Sequence, residues 1–118
     1  YLIEKNYIKS AHDISLGGII TAISKMCIKG NKGIQLKKSK NLMSEIEYFF
    51  AEDQGRYIIE INPNNLKEVT KILDKNSVHH EELGVIVEKD MIINQKTKIT
   101  IDELKSYNTN WLTNFMNL

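Results

Sequence analysis

One cysteine, Cys27, and one proline, Pro63, stand in the whole chain of 118 residues. A lone cysteine forms no internal disulfide. It fits a reducing compartment, and its place on an apolar helical face makes it a small core filler. No apolar run approaches the ~20 residues that a membrane span needs. The N-terminus lacks the basic-then-apolar order of a signal peptide. An excess of one charge is missing too. A net charge of +1 with 26% charged residues gives no electrostatic footprint for nucleic acid or an anionic membrane. The local basic run Lys32, Lys37, Lys38 and Lys40 reads as a solvated strand edge and loop. Internal repeats and linker-like stretches are absent.

What remains is an ordinary globular composition, 42% hydrophobic, at a length that suits one domain with a real core. The chain opens on Tyr1 rather than methionine, and a single domain over 1–118 cut from something longer is the expectation.

The segment Ser10-Ala11-His12-Asp13-Ile14-Ser15-Leu16-Gly17-Gly18 concentrates small, polar and ionisable residues beside two glycines. It follows what reads as a helix end over Tyr1–Tyr7, stopped at Asn6, and is expected to be a loop. Ile19, Ala22, Ile23, Met26 and Cys27 then recur with helical spacing, Lys25 and Lys29 lie off that stripe, and Gly30 or Asn31 ends the helix. Ile34 and Leu36 alternate with polar neighbours as a short strand. A loop over Ser39–Asn41 leads to a helix over Asn41–Phe50, with Leu42, Ile46, Phe49 and Phe50 on one face. Tyr57–Ile61 reads as a strand with Tyr57, Ile59 and Ile61 on one side. Ile58 opposite them suggests a strand covered on both faces.

Pro63 ends that strand, and Asn64 or Asn65 caps a helix with Leu66, Val69, Thr70 and Leu73 inside and Asn76 as its stop. Leu83–Val87 reads as a buried strand that Lys89-Asp90 turns back into Met91–Ile93, and Gln95-Lys96 turns again toward Ile99. Thr100 with Glu103 is a capping box, which Ile99 and Leu104 are placed to staple. Leu104, Tyr107, Trp111, Leu112 and Phe115 form the stripe of the last helix, so Trp111 reads as core or interface rather than a ligand-stacking ring. Strands separated by helices, then a meander, give an α+β (or α/β) domain: a mixed sheet with helices packed on it.

For chemistry, Asp13 is a candidate to bind a cation, accept from amides or orient a hydroxyl. In an extended segment His12 and Asp13 point to opposite sides, which argues against a hydrogen-bonded pair; Ser10 shares a side with His12, and Ser15 with Asp13. Ser15 and Gly17 suit a cap and a tight turn. The competing reading is that Gly17 and Gly18 open a helix N-terminus to a phosphate, although the spacing is neither the dinucleotide fingerprint nor the P-loop. Glu52, Asp53 and Arg56 are either a cleft edge or a salt-bridged turn. His79-His80-Glu81-Glu82 lacks a third ligand or the HExxH spacing and reads as a solvated loop. No nucleophile–base pair stands out.

The Ser10–Gly18 segment, followed by Glu52-Asp53-Gln54-Gly55-Arg56-Tyr57 and by Trp111-Leu112 with Phe115-Met116 near the end, resembles the last domain of the phosphoribosylformylglycinamidine synthase family in its small, stand-alone form. The resemblance spans essentially the whole chain. It implies the wider superfamily of aminoimidazole ribonucleotide synthetase, whose members pair an ATP-binding domain with a three-layer, partly ferredoxin-like C-terminal domain. This chain looks like the second copy of that C-terminal domain, a piece of a longer, cytoplasmic ligase of purine biosynthesis.

In such a parent, ATP phosphorylates the amide oxygen of formylglycinamide ribonucleotide and ammonia then displaces phosphate. The resemblance implies ATP and magnesium bound mostly by upstream residues, with no metal or cofactor in this piece, which alone is inactive. Its implied partners are the upstream ATP-binding domains, a glutaminase subunit and a small accessory subunit. Ser10, His12, Asp13, Ser15, Gly17 and Gly18 would border a nucleotide or substrate cleft, with Glu52, Asp53 and Arg56 at its edge. The family pattern usually has an acid where this chain has Leu16, so no metal role passes to the loop. Rival readings are a non-catalytic interaction domain and the matching domain of a related synthetase or kinase.

Overall fold

A computed structural model describes residues 1–37 and 44–117. Lys38, Lys40, the Ser39–Asn41 loop and Leu42 lie outside the described residues. The elements run β1 (Ile8–Asp13), α1 (Gly18–Gly30), β2 (Gly33–Leu36), α2 (Glu45–Phe50), β3 (Tyr57–Ile61), a 3-10 turn (Pro63–Asn65), α3 (Leu66–Lys75), β4 (Gly84–Val87), β5 (Met91–Ile93), β6 (Thr97–Ile99) and α4 (Ile101–Phe115).

The first residues form one helical turn. It closes with Tyr7 N–H donating to Leu2 O and Asn6 N–H to Ile3 O, while Asn6 takes a left-handed conformation at φ 56°. That is the terminating geometry expected of a helix end. The chain then extends, and the front half of the supposed loop is a strand: β1 pairs antiparallel with β3 in a two-stranded ribbon, Asp13 opposite Tyr57. The ribbon corrects the reading of β3 as covered on both faces. Ile58 is the buried residue, and Tyr57 is 72% exposed.

The second sheet has the order β4-β2-β5-β6 and is mixed: β2 runs antiparallel to β4 and parallel to β5. The expected meander therefore holds only for the β5–β6 hairpin. The chain turning at Lys89-Asp90 does not place β5 beside β4, because β2 lies between them. Two further expectations fall with that order. β2 is an inner strand, not an edge; Lys32 just before it pairs with Glu88, Nζ to Oε2 2.7 Å, and Lys37 is exposed beyond its end. β4 is an edge strand, so Val85 and Ile86 are exposed instead of buried.

α1 sits against both strands of the ribbon and against α2 and α4. Its Ile19, Ala22, Ile23 and Cys27 join Ile34, Leu36, Tyr48, Phe49, Ile58, Met91 and Ile101 in one core, with Met26 and Leu104 half-buried at its margin. Asn31 closes α1 in the left-handed conformation. α2 begins with a capping box, Ser44 with Glu47, so its described part starts later than expected. It buries Tyr48 and Phe49, leaving Ile46 and Phe50 exposed. Asn65 stands at the N-cap position of α3, as expected, but makes no side-chain cap bond, and Asn62 caps the preceding 3-10 turn by accepting from Asn64 N–H. Val69 is the buried residue of α3, Leu66 is exposed, and Asn76 terminates the helix. Thr100 and Glu103 form the expected capping box of α4, and the Thr100 amide and hydroxyl hold the Glu103 carboxyl below its ordinary range. Past Leu104, however, the α4 stripe is uncovered in this chain: Tyr107, Trp111, Leu112 and Phe115 are all exposed, which removes the core reading of Trp111.

Candidate functional site

β1 carries the first candidates into place. Ile8, Ser10 and His12 alternate inward, half-buried, while Lys9, Ala11 and Asp13 face out. Ser10 is engaged within the ribbon, its Oγ donating to Glu60 Oε2 at 2.7 Å. The His12 ring curls toward its neighbour: Nδ1 lies 2.6 Å from the Asp13 carbonyl oxygen and 3.4 Å from Asp13 Oδ1. Strand alternation had argued against such a pairing. It holds for Cβ directions, but the ring torsion brings Nδ1 back along the backbone.

After Asp13 the chain leaves the ribbon. Ile14 turns in to the core and its N–H donates to Arg56 O at 2.9 Å. Ser15 and Leu16 project outward, Leu16 at 80% exposure. Gly17 and Gly18 then take φ of 82° and 71°, conformations that side-chain-bearing residues resist. Gly18 has a second reason to be glycine. A Cβ there would lie 2.7 Å from Phe49 O and 2.8 Å from Phe50 Cα, so its missing side chain lets α1 meet the end of α2.

Ser15 does not cap α1 with its side chain; its carbonyl accepts from Gly18 N–H at 3.0 Å. The first turn of α1 holds no acidic residue of its own. Glu52 fills the gap from across the groove, its Oε1 accepting from Gly17 N–H at 2.7 Å. A carboxylate is the group that a helix N-terminus favours, so the amide that a phosphate would use already has an anion of this chain upon it.

The other two members of that second group close their own turn. Arg56 Nη2 donates to Ala51 O at 2.8 Å and pairs with Asp53 Oδ2 at 3.2 Å. Between the two segments lies an open groove of about 400 Å³, lined by Asp13, Ile14, Ser15, Leu16, Glu52, Gln54, Gly55, Arg56 and Tyr57. Of the sequence candidates, Asp13, Ser15, Glu52 and Arg56 line it. Ser10, His12, Gly17, Gly18 and Asp53 do not. Gln54 and Tyr57 are additions; their signal was their place in the same Glu52–Tyr57 stretch, and Tyr57 opposes Asp13 in the ribbon register. Elsewhere, His79–Glu82 is an exposed loop, fastened where Tyr48 Oη donates to Glu81 Oε1 at 2.6 Å. Among the described residues no group of three or more His, Cys, Asp or Glu could hold a metal ion.

This arrangement has acceptors, an arginine and an aromatic ring around an open groove, and no nucleophile beside a base. Those groups offer donors, acceptors and a ring face to a ligand. Residues 1–95 match the family model described as AIR synthase related protein, C-terminal domain. The chain belongs to that family.

This AIR synthase related domain is 63% identical over 115 residues, 98% of its length, to phosphoribosylformylglycinamidine synthase subunit PurL of Pelagibacter ubique strain HTCC1062. It is 34% identical over 116 residues to the subunit of the same name from Bartonella quintana strain Toulouse. In both cases it spans 16% of the relative's length. In fold it resembles Thermotoga maritima PurL solved in complex with ATP and with FGAR, each at a TM-score of 0.75 over 87% of this chain. Identity there is 18% and 19%, and the match spans 20% and 19% of those chains. The α+β class and the mixed sheet agree with that likeness. α4 lies beyond the family model's 95 residues but within the PurL alignments, which reach 98% of the chain.

Proposed function

We propose that this domain is the C-terminal part of a formylglycinamidine ribonucleotide synthetase, the ATP-dependent ligase that turns formylglycinamide ribonucleotide and glutamine-derived ammonia into formylglycinamidine ribonucleotide, ADP and phosphate. The observation that carries the reading is the 63% identity to a PurL subunit across 98% of the chain. In the parent, ATP activates the amide oxygen as a phosphate ester and ammonia displaces that phosphate.

The residues of this chain act by contact. Asp13, Ser15 and Tyr57 form one wall of a cleft, with Gln54 and Arg56 at its lip, and the opposite wall belongs to other parts of the protein. The acceptors at Asp13 and Ser15 suit hydroxyl or amine donors, while the seat of Glu52 on Gly17 N–H speaks against a phosphate at that amide. Leu16 has no ligating atom to offer magnesium, and the ion's ligands are assigned to other domains. The ATP-binding domains of the same protein, a glutaminase subunit and a small accessory subunit complete the assembly. One of the similar solved structures is of PurLQS from Thermotoga maritima. Cytoplasmic residence goes with this role, and no described helix is long and apolar enough to cross a membrane.

The test is complementation and assay of the complete reading frame that encodes this chain. It is expected to rescue a purine auxotroph lacking the synthetase subunit and to form ADP from ATP, ammonia and formylglycinamide ribonucleotide. The 118 residues alone are expected to do neither. Turnover of thiamine monophosphate with none of formylglycinamide ribonucleotide would overturn the assignment in favour of a kinase relative.

A further inference from the structure

We propose that Glu52 is a positioning residue: it sets the groove's loop wall by holding the Gly17 amide from the opposite lip. The proposal rests on the synthetase reading and deepens it.

Four observations lead to Glu52. Gly17 is the N-cap of α1, at φ 82°, and it has no side chain with which to cap the helix. No acid sits in the first turn of α1, so the helix brings no local anion to its positive end. Glu52 Oε1 reaches the Gly17 amide at 2.7 Å across 35 residues of sequence. Finally, Arg56 is occupied with the Asp53 carboxylate and with the carbonyls of Ala51 and Asp53. These contacts close the 51–56 turn and leave the Glu52 carboxylate to span the groove.

The backbone bond from Ile14 N–H to Arg56 O ties the two segments at the base of the groove. Glu52 ties them at the rim, just past the exposed pair Ser15-Leu16. Those two residues have no sheet pairing and lie between the fixed points Ile14 and Gly17. Their location depends on both anchors, and one of these is a side chain. Removing the rim anchor leaves the ribbon and the core in place and loosens the wall that presents Ser15, which at the rim is then held only from the α1 side, by Gly18 N–H to Ser15 O and Thr21 Oγ1 to Gly17 O. The consequence falls on ligand affinity more than on chemistry, with a small stability cost from the lost helix-end contact.

The experiment compares Glu52→Ala and Glu52→Gln with the wild type in the complete enzyme, measuring kcat and KM for formylglycinamide ribonucleotide and for ATP, and melting temperature. Glu52→Ala is expected to raise at least one KM by about tenfold, with kcat unchanged and melting temperature only slightly lowered by the lost helix-end contact. Glu52→Gln, which keeps an acceptor, is expected to recover most of that loss. Wild-type KM values in Glu52→Ala would overturn the proposal, as would a joint fall of kcat and melting temperature, which marks a merely structural role. An inactive wild type would overturn the synthetase reading instead. Amide hydrogen exchange at Gly17 gives a readout free of that reading: Glu52→Ala should accelerate it, and unchanged protection would refute the anchor whatever the enzyme does.

Discussion

Cys27 shows what burial does to a single group. It lies on the inner face of α1 at 7% exposure, and burial pushes its thiol from the ordinary 9.0 up to about 11. Desolvation disfavours the thiolate, which is the reactive form. At pH 8 the native chain should therefore resist a thiol reagent that labels it at once in denaturant. A linkage effect accompanies this. The folded state holds the proton more tightly than the unfolded state, so the stabilisation from the protonated thiol is full below pH 9 and is lost as pH rises toward 11. Urea midpoints measured across that window should fall more steeply for the wild type than for Cys27→Ala. Parallel slopes would show that the thiol has no part in the alkaline loss. The same residue was legible from sequence, because an isolated cysteine on a helical apolar stripe has one local explanation. Glu52 was legible only as a candidate edge. Its partner is set by the packing of α1 on α2, which no spacing in the sequence encodes.

Elements divide along the same line between local and non-local causes. The stop at Asn31, the capping box at Thr100 and Glu103 and the β5–β6 hairpin each depend on a few adjacent residues, and each formed as the sequence implied. The Ser44–Glu47 box of α2 has the same local signature, Ser-x-x-Glu. What could not be read was strand order. Gly84–Val87 has the composition of an inner strand, and only the insertion of β2 between β4 and β5 makes it an edge. The first glycine pair illustrates the second kind of cause: Gly18 is needed because the carbonyl of Phe49 and the backbone of Phe50 come within 3 Å of where a Cβ would stand. Gly18→Ala should consequently lose more than about 1 kcal/mol of stability, through the unfavourable φ and the forced separation of α1 from α2. Leu36→Ala, a cavity in the inner strand of the four-stranded sheet where Leu36 is 0% exposed, should lose about 2–5 kcal/mol. Denaturant midpoints decide both, and an unaffected Gly18→Ala would mean that the α1–α2 approach relaxes freely.

For the molecule as a whole, the periodicity of α4 announced an apolar face without saying what covers it. Within this chain the N-terminal turns of α4 reach the core through Ile101 and Leu104, and the rest is left bare: Tyr107 at 75% exposure, Trp111 at 60% and Phe115 at 78%. Aromatic residues in such a contiguous exposed stripe mark a contact surface rather than a solvated one. If the chain is one domain of a synthetase, that face packs on the rest of the protein. Trp111 is the only tryptophan in the 118 residues, so it reports the difference cleanly. In the isolated chain its fluorescence should be red-shifted and readily quenched by acrylamide. In the complete protein, the difference between wild type and Trp111→Phe isolates the same indole, and its emission should move to the blue with quenching reduced severalfold. Equal quenching in the two contexts would show that the Trp111 face of α4 stays in solvent in the complete protein.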